Sequence, residues 1–261
     1  MIALILALQA APAALSQTEQ RQQACIALAA TDPKSAEAEA ERFRIAGGGA
    51  KARQCLGMAY TQQGRWREAA MTFEIAAREA AAAKDGNAAR YWAQSGNAWL
   101  ADGDTAKAIA ALTTAIDSAT ISTDNKGEAL LDRARAQVAA GDAAAARSDI
   151  DAALDVTPKE PIAWLLSATL ARRVKDLPRA QGDITQAIKL APEDASIQLE
   201  AGNIAALAGN ADAARTAWQA AARLAPGTAI ADNARIALSQ FDTAPPAGVP
   251  AAAKPTKPVG R

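Results

Sequence analysis

One arrangement of residues recurs along most of this 261-residue chain. Residues 56–76 read LGMAYTQQGRWREAAMTFEIA, and residues 92–115 read WAQSGNAWLADGDTAKAIAALTTA. In both, a small residue and an aromatic share one helix, a glycine-centred turn follows, and a small and a large apolar residue sit on a second helix. A recurring unit of this length cannot bury its apolar face alone and must stack on its neighbours, so a solenoid of helical hairpins is predicted. Such a fold presents an extended surface rather than a catalytic centre.

The positions can be followed unit by unit. Leu56, Gly57, Tyr60, Ala69, Phe73 and Ala76 are answered by Trp92, Gly96, Trp99, Ala108, Leu112 and Ala115. A third unit carries Leu130, Ala134, Ala146, Ile150, Ala153 and Pro158. A fourth has Trp164, Ala168, Ala171, Ala180, Ile184, Ala187 and Pro192, and a fifth Gly202, Ala205, Ala214, Trp218, Ala221 and Pro226. This pattern resembles the tetratricopeptide repeat, W-x2-L-G-x2-Y followed by A-x3-F, A and P. The resemblance implies an all-α, right-handed solenoid of antiparallel helix pairs. It has about five repeats over 50–227, a degenerate unit over 17–49 with Phe43 in its large slot, and a capping helix over 228–241.

Each slot has a physical task. Glycine or alanine in the tight slot lets two helices approach closely, and the large residue on the second helix fills the space between hairpins. Proline ends that helix because it lacks an amide donor and clashes with the preceding turn. Gly64, Gly103, Gly141 and Gly209 occupy the inter-helix turn, where a helix end favours a left-handed backbone, and Lys175 is the exception. The last units follow one another at 34 residues, whereas the first two spacings are longer by about one helical turn. The excess falls in 80–87 and 118–127, so both preceding second helices are expected to run on.

Composition agrees with an all-helical chain, since Ala, Leu and Ile dominate and strand-type alternation is absent. Lysine plus arginine equals aspartate plus glutamate at 28 each, which argues against a nucleic-acid partner. The first residues, MIALILALQAAPAALSQ, read as a secretory signal peptide over 1–16, although no lysine or arginine precedes the apolar run. The alternative is a core helix. Export would place the protein in the periplasm, with the cytoplasm as the rival location. Cys25 and Cys55 then face an oxidising compartment, and both fall at the same slot of consecutive first helices. A disulfide there is geometrically reasonable; two buried free thiols are the alternative. Residues 242–261 are rich in proline and alanine with a basic end (Lys254, Lys257, Arg261), expected to be disordered, favouring extended conformations, and able at most to touch an acidic envelope surface weakly.

No catalytic, cofactor or metal site is expected. The chain has no histidine, which removes the usual general base and the commonest transition-metal ligand. Gly47-Gly48-Gly49-Ala50-Lys51 lacks the Gly-Lys-Ser/Thr ending of a phosphate loop, and Asp102-Gly103-Asp104 is too short for a calcium loop. Asp149, Asp151 and Asp155 read as a solvated helix face. The tryptophans all find packing roles, and Tyr91 has no consensus role and reads as surface contact or half-buried.

In the family that this chain resembles, first helices line a concave groove in which peptides lie. Carried over slot by slot, the groove positions hold Lys51, Gln54, Met58, Arg90, Gln94 and Asn97 in the first two units. The later units offer Glu128, Asp132, Arg135, Thr169, Arg172, Arg173, Glu200 and Asn203. Gln54, Met58 and Gln94 depart from the family's clamp for a C-terminal carboxylate, so a chaperone-tail ligand is not supported. The reading is a non-enzymatic scaffold that binds a protein or peptide of the cell envelope, with no nucleic acid and no small-molecule substrate. A permanent structural subunit of a secretion or envelope-assembly complex and a cytoplasmic adaptor are the alternatives.

Overall fold

The computed structural model describes residues 15–243, which form thirteen α-helices and no strand. The apolar N-terminal run and the proline-rich tail lie, apart from residues 15–16 and 242–243, outside the described residues. Among the described residues no helix is long and apolar enough to cross a membrane. The chain divides into two compact units, one ending at Pro158 and the other beginning at Lys159.

The first unit contains α1 (Gln17–Thr31), α2 (Pro33–Ile45), α3 (Gly49–Gln62), α4 (Trp66–Ala82), α5 (Ala88–Asp102), α6 (Thr105–Ile116), α7 (Thr123–Ala139) and α8 (Ala143–Val156). Each helix packs on the next, and α1 also meets α3 as α5 meets α7. The second unit contains α9 (Pro161–Arg173), α10 (Leu177–Leu190), α11 (Ala195–Leu207), α12 (Ala211–Leu224) and α13 (Ala229–Thr243). In it α9 packs on α10, α11 on α12 and α12 on α13, with α11 also touching α9 and α13. This is the stacked helix-pair architecture of a helical-repeat solenoid.

The tight slots work by interlocking. A β-carbon built on Gly57 would lie 2.5 Å from the Phe73 ring, and one on Gly96 would lie 2.5 Å from Leu112 Cγ. Gly202 is covered in the same way by Trp218. Phe73, Leu112 and Trp218 are buried by this approach, at 2%, 0% and 4% exposure. Alanines at 0–1% exposure fill most of the remaining core, so the helices lie close together along much of their length.

Four of the inter-helix turns share one local solution, whereas Arg65 after Gly64 gives no side-chain cap. Gly103, Gly141 and Gly209 adopt φ of 86°, 87° and 75°, and Lys175 adopts 67°. The next residue then caps the second helix: Asp104, Asp142, Asp176 and Asn210 accept from the backbone N–H of Lys107, Ala145, Arg179 and Ala213. Lysine holds the left-handed position in one repeat at a cost of about 1 kcal/mol relative to glycine.

The two longer spacings are absorbed differently from expectation. Helix α4 does run on, to 17 residues. Helix α6 instead stops at 12 residues, and the extra chain goes into the 117–122 loop and a 17-residue α7 capped by Ser122. Ser122 Oγ accepts from the Asn125 N–H and starts the next helix early.

Candidate partner-binding face

Helices α3, α5 and α7 carry the predicted groove residues of the first unit, and α1 packs on α3. A covalent tie joins two of them: Cys25 of α1 and Cys55 of α3 form a disulfide with Cα atoms 5.8 Å apart. Both cysteines are fully buried beside Ala40, with Ile26 and Leu56 packed around them.

Beside the disulfide runs a row of glutamines. Gln22 Nε2 donates to Gln54 Oε1 at 2.5 Å, and Gln54 Nε2 donates to Gln94 Oε1 at 3.1 Å. Gln94 in turn points its amide at Met58 Sδ, 3.9 Å away. Gln54 is only 3% exposed, so it does not present a free amide to a partner as its slot suggested. It uses its hydrogen-bonding capacity to link α1, α3 and α5. Lys51 is half-buried and pairs loosely with Glu19 at 3.7 Å. Met58 is half-buried among Phe73, Trp99 and their neighbours.

The open part of this face lies between α5 and α7. A cleft of about 240 Å³ is floored by Ala89, Ala93 and Ala129 and edged by Arg90, Gln94, Asn97, Asn125, Glu128 and Asp132. Arg90, Asn97 and Glu128 are exposed. Asn97 Nδ2 donates to Asp132 Oδ2 at 2.7 Å, and Arg135 pairs with Asp132 from the next turn of α7. The result is a shallow trough with a small apolar floor and alternating donors and acceptors on its rims. Tyr91, beneath Arg90, is fully buried and not a surface ring. Its hydroxyl makes no direct hydrogen bond, and burial pushes its phenol above the ordinary value of 10.0.

In the second unit Thr169 is half-buried and Arg173 exposed. Arg172 Nε donates to Glu200 Oε1 at 2.6 Å, Asn203 Nδ2 donates to Glu200 Oε2 at 3.1 Å, and the Trp218 indole donates to Asn203 Oδ1 at 3.1 Å. Glu200 is buried at 6%, because a carboxylate can leave water here only while Arg172 and Asn203 satisfy it. It therefore organises this face rather than meeting a partner directly.

Two buried carboxylates escaped sequence reasoning. Asp149, expected on a solvated face, is 6% exposed and accepts two hydrogen bonds of 2.7 Å from Arg133 Nε and Nη2. That bidentate pairing raises the Arg133 pKa above its usual value. Asp183, one repeat later, is also buried and accepts from the Ser167 hydroxyl. The signal was present: an Asp directly precedes the large slot in both repeats, at Asp149-Ile150 and Asp183-Ile184. Asp155 is exposed as expected. Among the described residues no cluster of acidic or sulfur side chains could hold a metal ion.

Residues 131–180 and 165–229 match the tetratricopeptide-repeat family model. No curated protein matches in sequence. Among solved structures the chain resembles PilF of Pseudomonas aeruginosa, at 15% identity and a TM-score of 0.64, over 85% of this chain and 99% of that one. It also resembles PilW, described as a widely conserved type IV pilus biogenesis factor, at 17% identity and 0.69, over 84% and 98%. YrrB, a repeat protein described as having an unusual peptide-binding site, aligns at 14% identity and 0.51, over 75% and 96%. Residues 131–229 thus carry the match to the tetratricopeptide-repeat model, and the described helices share the fold of these solved structures.

Proposed function

We propose that this protein is an exported, non-enzymatic scaffold that holds an extended segment of a cell-envelope protein on its first-helix face. The observation that carries this reading is the trough between α5 and α7. Its alanine floor admits a peptide backbone closely, and Arg90, Asn97 and Glu128 supply donors and acceptors at its rims. Recognition of an extended chain rests on such main-chain hydrogen bonds, with side-chain complementarity adding selectivity. Opposite charges on the two rims favour a segment of mixed charge.

Location is supported separately. A buried disulfide persists in oxidising compartments and is rare in the cytosol. The apolar N-terminal run reads as an export signal, and the neighbours PilF and PilW align over nearly their whole length, PilW being named for pilus biogenesis. Within this reading the glutamine row and the disulfide hold α1, α3 and α5 in register, so that the trough is formed before a partner arrives. A preformed surface lowers the ordering cost of binding.

The test combines location with the trough. Cells are fractionated under acid quench and free thiols are trapped with a mass tag. The same fractions are then offered to the wild-type protein and to the Arg90→Glu/Glu128→Arg double variant. The proposal expects untagged Cys25 and Cys55 in the periplasmic fraction, and an envelope protein retained by the wild type and lost with the variant. A protein found in the cytosol with both thiols tagged, or retention unaffected by the double variant, would overturn it.

A further inference from the structure

The two rims of the α5–α7 trough carry opposite charges that are left open. Arg90 on α5 and Glu128 on α7 both line the cleft, and both are exposed. Among the described residues neither is ion-paired, with the other or with a third side chain. Arg90 is steadied by the Tyr91 ring, whose centre lies 5.5 Å from its guanidinium carbon. On α7 the positions one turn either side of Glu128 are Asp124 and Asp132, so its own helix offers it like charge there. Asp132 is already matched, by Asn97 and Arg135. The trough is also short. Asn97 and Asp132 are joined across it, and Ile121, just before α7 begins, lines it as well. From Arg90 to Asn97 helix α5 rises about 10 Å, the length of about three residues of extended chain.

Given an extended segment in this trough, as proposed above, we infer that the segment carries an acidic and a basic residue next to each other in sequence. The acid is turned to Arg90 and the lysine or arginine to Glu128. Successive side chains of an extended strand point to opposite sides, so neighbours in sequence reach opposite rims and residues two apart reach the same one. The length of the trough admits one such pair. The stem of the lysine or arginine crosses the alanine floor, while its charged head stays at the wetter rim.

A pair of like charges sets one of them against a rim of its own sign, and a neutral pair leaves both rims unmatched. Rim charges in water add little affinity, about two- to fivefold for each matched pair. Their larger effect is on selection, because a mismatched segment both loses an attraction and meets a repulsion.

The experiment uses the full chain and four end-blocked synthetic peptides that differ only in a central dipeptide: glutamate–lysine, glutamate–glutamate, lysine–lysine or glutamine–glutamine. Binding is read by NMR at the Ala93 and Ala129 methyl groups on the trough floor. The wild type should bind the glutamate–lysine peptide most tightly, by at least about fourfold over the glutamine–glutamine peptide. Glu128→Lys should move the preference to glutamate–glutamate, and Arg90→Glu should move it to lysine–lysine. Both positions are exposed, and a folding defect does not produce opposite preferences. Equal affinity of all four peptides, or preferences unchanged in the two variants, would overturn the charge pairing while leaving the trough as a peptide site. No methyl shift with any peptide would overturn both.

Discussion

Replacing Gly57 by alanine adds one methyl group where helix α3 meets the Phe73 ring. In a solvent-facing helix interior the same change stabilises by up to about 1 kcal/mol, because glycine is the poorer helix former. At Gly57 the new carbon would stand 2.5, 2.7 and 2.8 Å from Cε1, Cζ and Cδ1 of Phe73. Carbon atoms pack best at about 3.5–4.0 Å, so the ring must retreat by about 1 Å. Phe73 is 2% exposed and packed with Ala69, Ala70, Ala98 and Trp99, so the ring can retreat only by displacing its neighbours. Overpacking of this kind costs about 1–3 kcal/mol, and the upper half of that range applies, leaving a net loss of roughly 1–2 kcal/mol. Gly182, on α10, provides the internal control: a β-carbon there meets nothing within 4 Å, and the residue is exposed. Gly182→Ala should therefore stabilise, by about 1 kcal/mol at most. Because a stack of repeats need not unfold in one step, each variant is best read by native-state hydrogen exchange on the amides of its own helix pair, α3–α4 and α9–α10. Phe73→Leu in the Gly57→Ala background should recover part of the loss. Equal signs for the two glycine substitutions would refute the interlocking account.

Other expectations follow from the same contacts. Cys25→Ser/Cys55→Ser opens a crosslink with a sequence separation of 30, worth about 3.6 kcal/mol in the chain-entropy treatment. Exchange protection should fall in α1–α3 and remain in α9–α13. Asp149→Ala leaves the Arg133 guanidinium without its bidentate partner and should cost about 3 kcal/mol by urea denaturation, while the Arg133→Met/Asp149→Leu pair should cost much less. Asp32, Asp104 and Glu19 all titrate below their ordinary values, held down first by hydrogen bonds from the side chains of Ser35, Lys107 and Ser16. Their folded-state pKa values are lowered. Their contribution is therefore complete above the unfolded values of 3.8 and 4.5 and is lost as pH falls through the folded ones. Stability measured from pH 6 to pH 2 should decline on the acid side, and an Asp104→Asn variant should decline less steeply.

The repeat was legible because its slots carry mutually exclusive physical demands. Only glycine admits Phe73 over Gly57 or Trp218 over Gly202, and a left-handed turn followed by an Asp or Asn cap leaves the marks Gly103-Asp104, Gly141-Asp142 and Gly209-Asn210. The partner face was less legible. A polar residue on the outer side of a helix reads as solvated, yet Gln54 and Glu200 are buried because residues from other helices reach them: Gln22 and Gln94 in one case, Arg172 in the other. Periodicity along a single helix carries no information about such cross-repeat partners. The early stop of α6 was hidden for a similar reason. The Ser122 cap that begins α7 competes with continuation of α6, and propensity over 117–122 does not decide between them.

The central claim is that the α5–α7 trough holds a segment of an envelope protein, and site-specific photo-crosslinking tests it most directly. A photo-reactive residue is placed at Asn97 or Glu128 in the full chain, expressed in intact cells, with a control probe at exposed Asp155 on α8. The account predicts one discrete envelope adduct from Asn97 and Glu128, absent from Asp155 and competed by a peptide taken from the crosslinked segment. Equal labelling from all three positions, or adducts with cytosolic proteins alone, would contradict it.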